Sequence, residues 1–580
     1  MTDRTVVFTK EQLLLIEGTG SRYIKACPGA GKTQALAERY ASRPNHHPRK
    51  GVALLSFTNA AAEEAARRCQ SHPEFLRAPN FIGTIDKFIN RLIVSPVLVA
   101  RKEMAAHFVD VWEQLPHANV KCKGIPFAPS LDWFSFNPNG YAKLVKIKAP
   151  IERQASFDAL STEQRERLEG QARNHRNSFI ERGYFSAEAS RQAALFYLSK
   201  QAIRERLTKI LSHRFSEVIV DEVQDCSDED IRVIEFIRDC GIHIVLVGDP
   251  DQAIYEFRGR SEEATQSLEL LAPGGERLNG NFRSTPAICA VANSFRVSSA
   301  TDSAVGENAG NQDPILLLKY KRPPTVAEAK ARIAEVRGFE STDCIILAHG
   351  RRKAASCAGG VALESSSAAR LLRIALAVES LQLMESDGAK RRSALRELCV
   401  CLQEAVHAAY KNHSTHELYE AVGLTESAYH AKVLRLAHVV KLDRSLPSSK
   451  FKESLEAGLH SQGFHWVRPG AIPAQPDDKW VKPLSGAVQL FDYATIHNYK
   501  GLQRKFVTVV IPERGKRSYL DTGVGQWLED IEGEPRRVLY VGVSRAEELL
   551  MLAVHESEYE AVHGKLVRDG IRFDVVESGA

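Results

Sequence analysis

The sequence predicts an α/β protein built on two parallel, doubly wound sheets, each interrupted by a long, mostly helical insertion. Two observations carry this reading. Short β-branched runs alternate with helical stretches near both ends of the chain, and a glycine-rich turn joins the first such strand to a helix. A length of 580 residues, at ~150 residues per domain, suggests about four folding units. The expected layout is a first core at 1–94 and 216–280 with an insertion at 95–215, then a second core at 281–354 and 486–580 with a shorter insertion at 355–485.

The elements follow in order. Tyr23-Ile24-Lys25 ends a strand, a glycine-rich turn and a helix come next, and Val52 to Phe57 forms the second strand. Val218-Ile219-Val220 runs into Asp221, then a helix, then the strand Ile242 to Gly248. A further α/β region spans Pro314 to Gly350, resumes at Ala487 to Ile511 and closes with Leu549 to Val554. The Asp/Lys/Pro-rich stretch Pro469 to Pro483 reads as a loop returning to the core.

Composition removes several classes. A hydrophobic fraction of 44% and a charged fraction of 26% exclude wholesale disorder and collagen-like chains. No apolar run approaches the ~18 residues of a membrane span. Ten cysteines without a C-x-x-C pair give little support to disulfide scaffolds, zinc ribbons or Fe–S clusters. Met1-Thr2-Asp3-Arg4 leads into polar sequence with no apolar h-region, so the expected location is cytoplasmic. Net charge is only +5, but Tyr141 to Phe215 holds 15 Lys/Arg against 8 Asp/Glu. That excess fits either a phosphate-backbone track or a solvated helical face.

Ala26-Cys27-Pro28-Gly29-Ala30-Gly31-Lys32-Thr33 nearly matches the P-loop pattern, with Ala26 where the strict form has glycine. Small residues let backbone N–H groups wrap phosphates at a helix N-terminus; Lys32 would neutralise β/γ-phosphate charge and the Thr33 hydroxyl would bind Mg²⁺. Asp221 and Glu222 follow a buried strand, where an Asp can hold Mg²⁺ and its neighbour can act as the base that orients an attacking water. Gln252, beyond a third strand, can sense a γ-phosphate by hydrogen bonding. Arg283 and Arg545 read singly as surface arginines. If the second core closes over the nucleotide, both become arginine fingers on transition-state charge. The expected cofactors are ATP and Mg²⁺.

Together these motifs resemble the UvrD/Rep/PcrA group of superfamily 1 helicases, which implies two RecA-like P-loop cores and 3′→5′ movement on single-stranded DNA driven by ATP hydrolysis. Gln12 is similar to the group's adenine-reading glutamine. Ser56 to Ala62 and Gly83 to Asp86 resemble its two early DNA-contacting motifs. Asp221-Glu222-Val223-Gln224-Asp225 resembles its D-E-x-Q-D signature, and GDPDQAIYEFRG (Gly248 to Gly259) its third motif. Asn281-Phe282-Arg283-Ser284 matches N-Y-R-S with Phe282 for Tyr. Thr495 to Gln503 and Leu539 to Ala546 match the two late motifs. Three departures stand out: Gln34 where relatives often carry an adenine-packing Arg, Phe257 for Trp, and Gln503 for a Glu that touches the nucleotide sugar.

The resemblance places Phe57, Tyr255 and Phe257 under the bases, Thr84 in a DNA-contacting motif, and Arg258 and His497 near the strand. Aromatic platforms suit a motor that must tolerate any sequence, because every base has a π-face. The implied partner is single-stranded DNA or DNA with single-stranded ends, and no membrane. A likeness to the short UvrD-like subunits of the Gabija anti-phage system further implies a partner nuclease of the ATPase–Toprim type. The alternative function is a DNA-stimulated ATPase serving as sensor or regulatory subunit of that nuclease, with little unwinding. The 34 residues after Ala546 are expected to be too few for the nuclease domain of some relatives.

Overall fold

The computed structural model describes residues 7–577 apart from 44, 46, 48, 70–72, 103–105, 116–117, 126, 138–139, 150, 255–267, 276, 297, 299, 360–369, 383–387, 411–414, 444, 475–479, 481–490 and 516–521. The chain divides into two compact units, one of Met1–Arg101, Arg191–Gly360 and Gln489–Ala580, the other of Lys102–Ser190 and Val361–Val488. The first unit holds two parallel sheets, so the α/β class read from the sequence is what the chain adopts.

Its first sheet comprises β1 (Arg22–Lys25), β2 (Gly51–Ser56), β3 (Phe81–Thr84), β4 (Phe215–Val220) and β5 (His243–Gly248). Their order is β1-β5-β4-β2-β3, with every pairing parallel. Parallel strands covered on both faces need continuous apolar runs; Val218, Ile219, Val220 and Ile244 to Val247 are fully buried. The second sheet comprises β6 (Ile315–Tyr320), β7 (Cys344–Ala348), β8 (Asp492–Thr495), β9 (Arg504–Ile511), β10 (Ala546–His555) and β11 (Phe573–Val576). It is parallel throughout, in the order β8-β7-β9-β10-β6-β11.

Two buried charges brace this unit. The Arg39 guanidinium forks onto Glu217 of β4 at 2.8 and 2.7 Å and donates to the Leu15 and Gly18 carbonyls at 2.5 and 2.7 Å. That fastens the helix Lys10–Glu17 to the helix Lys32–Ser42. In the second sheet, Lys330 donates to the Phe506 carbonyl and the Thr508 hydroxyl, both at 3.0 Å, beneath the Phe506 ring. Burial without a carboxylate partner drops its pKa to about 7.

The other unit is mostly helical, as expected, but adds short strands. Its long helix Thr162–Glu181 is accompanied by four short strands: His107–Val109 pairs with Tyr184–Ser186, and Phe134–Phe136 with Ala142–Leu144. The reason is a local period of two: Phe134 and Phe136 are buried on either side of half-exposed Ser135. The helix Gln201–Arg214, expected within that insertion, groups with the first unit because it runs directly into β4. Buried residues between Leu371 and Trp480, among them Leu398, Tyr429 and Trp466, form one hydrophobic cluster.

Candidate active site

The C-terminal ends of β1, β4 and β5 form one edge, the place where open parallel sheets bind ligands. Beyond β1, the Ala26 N–H donates to the Gly248 carbonyl (2.9 Å) and the Cys27 N–H to that of Leu278 (3.0 Å). Gly29 and Gly31 take left-handed φ values of 72° and 69°, which glycine adopts without penalty. Ala26 is not among the residues with positive φ, so a methyl group is tolerated where the strict pattern has glycine. The helix Lys32–Ser42 starts at Gly31 with no side-chain cap, leaving its first N–H groups free for an anion.

Asp221 and Glu222 follow β4. Glu222 is left-handed (φ 53°, ψ 40°), a strained state for a non-glycine residue. Its N–H donates to Asp221 Oδ1 at 2.9 Å, its carboxylate accepts from Gln224 Nε2, and Oε2 stands 3.7 Å from Lys32 Nζ. Burial and the Glu222 charge push the Asp221 pKa up against the pull of Lys32. Burial also disfavours the Glu222 carboxylate, but Lys32, Lys500 and the Gln224 bond outweigh it and hold its pKa down. Burial likewise opposes the Lys32 ammonium, and Glu222, Asp249 and Asp221 overcome it and raise its pKa. The result is one firmly ionised carboxylate beside a firmly charged lysine.

Thr33, Ser56 and Asp221 line a small recess beside this pair. Ser56 Oγ is buried there without a hydrogen-bond partner. A hydroxyl and a carboxylate facing an unsatisfied oxygen suit Mg²⁺, which takes few protein ligands and completes its shell with phosphates and water. Among the described residues no group of three or more His, Cys, Asp or Glu could hold a metal unaided. Thr33 and Asp221, which line the recess, are the residues able to hold it.

Residues beyond position 280 supply the opposite wall. Arg545 is buried, donates from Nη2 to Gln252 Oε1 at 2.9 Å, and is held by the Val541 carbonyl and the Ser544 hydroxyl. Burial, then the nearby Arg283 guanidinium, lower its pKa. Arg283 donates to Gln503 Oε1 (2.7 Å) and the Ser544 carbonyl (2.9 Å). Gln503, singled out above as a departure, thus orients an arginine here. The Phe282 N–H donates to the Gly29 carbonyl at 2.9 Å. A Cβ at Gly29 would lie 2.4 Å from Asn281 Oδ1 and 2.7 Å from Arg283 Cβ. Gln12 is buried, with Nε2 donating to the Ala30 carbonyl (2.9 Å) and Oε1 accepting from the Thr9 N–H (2.9 Å), so its amide braces the turn. Gln34 lies half-buried on the first turn of the P-loop helix.

Of the candidate DNA residues, Phe57 is half-buried one residue beyond β2, and Thr84 ends β3. The Thr84 hydroxyl accepts from the Lys87 N–H at 3.3 Å as a helix cap. His497 follows β8 with its ring edge-on to His349 at 5.4 Å; burial, His349 and Lys500 lower its pKa, which favours the neutral imidazole. Tyr255, Phe257 and Arg258 lie outside the described residues.

Several participants escaped sequence reasoning. Lys500 of the second core clamps Asp225 at 2.6 and 2.8 Å and the Gln252 carbonyl at 2.9 Å. Tyr540 donates to Asp249 Oδ2 at 2.9 Å, and the same oxygen accepts from Gln252 Nε2 at 3.1 Å. Tyr540 lies on the helix Glu534–Val543, just ahead of Arg545. A polar side chain there was the available signal.

Two parallel α/β sheets, a glycine-rich strand-to-helix turn and a carboxylate pair facing basic residues define the class: a two-core P-loop architecture. Within that class, residues 8–269 match the family model of the UvrD/REP helicase N-terminal domain. The chain is 28% identical to "DNA helicase II" of Escherichia coli (strain K12) over 311 residues, 50% of this chain and 39% of that protein. It is 25% identical to "DNA helicase II" of Haemophilus influenzae over 352 residues (57% and 46%), and 22% identical to "ATP-dependent DNA helicase PcrA" of Bacillus subtilis (strain 168) over 340 residues (56% and 44%). The chain spans less than half the length of these relatives. The likeness lies mainly in the first part of the chain, where the family model ends at residue 269. No helix among the described residues is long and apolar enough to cross a membrane.

Proposed function

We propose that this chain is an ATP-dependent DNA helicase or translocase of the UvrD-like superfamily 1, hydrolysing ATP while moving 3′→5′ on single-stranded DNA. The observation that carries the reading is that Arg283, against the P-loop glycine Gly29, and Arg545, bonded to Gln252, stand beside the site of Lys32, Asp221 and Glu222. Lys32 and the P-loop N–H groups bind the β- and γ-phosphates. Glu222, ionised and held by Gln224, orients the attacking water and accepts its proton. Thr33 and Asp221 would hold Mg²⁺, which would neutralise charge on the phosphate oxygens. Gln252, already bonded to Arg545, senses the γ-phosphate, while Arg283 and Arg545 stabilise charge that develops in the transition state. Phe57, Thr84 and His497, with Tyr255, Phe257 and Arg258, form the DNA track.

The test is DNA-stimulated phosphate release by purified Lys32→Ala and Glu222→Gln. The first variant weakens ATP binding; the second retains binding and loses turnover by ~10²- to 10⁴-fold. Wild-type turnover in Glu222→Gln refutes the site. Unwinding of duplexes with 3′ or 5′ tails tests polarity.

A second reading draws on the length of the second insertion, Val361–Val488. In it the chain is a DNA-stimulated ATPase that informs a partner nuclease, in the manner of an anti-phage defence subunit, and unwinds little. Strong ATPase with no strand displacement on any tailed duplex, together with an adjacent nuclease gene, favours it.

A further inference from the structure

Behind Gln252 lies a second, fully enclosed cluster of charges. Asp249 and Asp251 come from the loop after β5; Arg296, Asp302 and Tyr540 come from the chain of the second core. The Arg296 side chain is wholly buried and reaches all four partners. Nη1 donates to Asp251 Oδ2 at 2.6 Å, Nη2 donates to Asp302 Oδ2 at 2.7 Å and to the Tyr540 hydroxyl, and Nη2 stands 3.6 Å from Asp249 Oδ2. Ser298 adds a bond to Asp251 at 3.1 Å, and Arg277 lies 3.6 Å from Asp302. Arg536 braces the arginine from behind, donating to the carbonyls of Phe295 (2.9 Å) and Arg296 (2.7 Å).

The bonds form a continuous chain. Arg296 donates to Tyr540, Tyr540 donates to Asp249, Asp249 accepts from Gln252 Nε2, and Gln252 Oε1 accepts from Arg545. With Asp249 fixed as an acceptor on one side and Arg545 as a donor on the other, the Gln252 amide has a single orientation. A guanidinium that contacts three buried carboxylates, only one of which also has Arg277 nearby, is difficult to replace, because a buried carboxylate left unpaired is strongly disfavoured.

We infer that Arg296 is a positioning residue that locks Asp249 and Tyr540 together across the two cores and so aims Gln252 and Arg545 at the nucleotide. The inference rests on the proposed nucleotide site. It makes the Arg296 cluster the rigid element through which the second core sets the alignment of the γ-phosphate sensor, without itself touching nucleotide. Its loss lowers turnover while leaving ground-state binding, which the P-loop supplies.

The test uses the full chain as Arg296→Met, Arg296→Lys, the double variant Arg296→Met/Asp302→Asn, and Lys32→Ala as reference. The readouts are DNA-stimulated phosphate release, the Kd of a fluorescent ATP analogue, and thermal unfolding. Arg296→Met is expected to lower kcat on the order of 10- to 100-fold, the effect of a small misalignment, with Kd changed by less than about twofold. Arg296→Lys keeps the charge without the planar fork, so it melts near wild type yet turns over slowly. The double variant, relieved of one unpaired carboxylate, recovers melting temperature but not kcat. Wild-type kcat in Arg296→Lys, recovery of kcat in the double variant, or a Kd that rises in step with the kcat loss each overturns the inference. Should Arg296→Met fail to fold, Arg296→Lys and the double variant decide. Normal turnover in Lys32→Ala instead overturns the nucleotide-site reading on its own.

Discussion

Arg545→Ala separates the catalytic role of the cross-core arginine from its structural one. The side chain is 2% exposed and spends its hydrogen bonds on Gln252 Oε1, Ser544 Oγ and the Val541 carbonyl. Removing it leaves the buried Gln252 oxygen without its donor, a penalty of about 1–3 kcal/mol, partly offset by relief of repulsion with Arg283. The fold should therefore survive with a modestly lower Tm. The catalytic loss is larger. An arginine on the transferred phosphoryl group contributes ~10³- to 10⁵-fold in rate, about 4–7 kcal/mol at 1.36 kcal/mol per decade. Because that exceeds the structural penalty, the assay is decisive below the variant's melting range. Steady-state phosphate release with saturating single-stranded DNA gives kcat, and a fluorescent nucleotide titration gives Kd. The expected outcome is a kcat loss of at least ~10³-fold with Kd nearly unchanged. A kcat within about tenfold of wild type, or equal losses in binding and turnover, would refute the reasoning and make Arg545 a structural residue.

Other perturbations test separate parts of the structure. Gly29→Ala forces a left-handed φ of 72° on a residue whose Cβ would meet Asn281 Oδ1 at 2.4 Å; turnover and Tm should both fall, and an unchanged Tm would refute the contact. Lys330 has its pKa lowered to about 7 in the fold, against roughly 10.4 when unfolded. The unfolded chain then binds more protons between these values, so stability should rise as pH increases from about 7 toward 10. Lys330→Met should abolish that slope in denaturant melts, and a slope equal to wild type would remove Lys330 as its source. Phe57→Ala should raise the Kd for single-stranded DNA by ~5- to 150-fold if one stack of ~1–3 kcal/mol is lost, with basal ATPase unaffected; unchanged affinity returns Phe57 to packing. His497→Ala should weaken DNA binding equally at pH 6.5 and pH 8, because burial, His349 and Lys500 favour the neutral ring. A loss confined to the lower pH would mean that charge, not stacking or hydrogen bonding, carries its contact.

Local chemistry made much of this protein legible before any coordinates. The P-loop could be read because small residues, a lysine and a hydroxyl must be adjacent in sequence to wrap a phosphate. The acids after β4 and the glutamine after β5 could be read because buried parallel strands are continuous apolar runs whose ends are marked by polar residues. Those same runs, Val218 to Val220 and Ile242 to Val247, identified the α/β class. The short strands between 107 and 186 were not legible: a period of two over three residues is too brief to stand out from a helical background. Long-range pairing was hidden more deeply. Nothing in the order of residues announces that Arg296 meets Asp249 and Asp251, that Lys500 clamps Asp225, or that Gln12 braces Ala30. Each joins residues far apart along the chain, and a hydrogen bond is selected by position in space, not by neighbours in sequence. Residue types alone point to the groups that could handle a phosphate. Only the tertiary structure decided which of them face one another across the cleft, because that depends on how two sheets, folded from interleaved segments, close together.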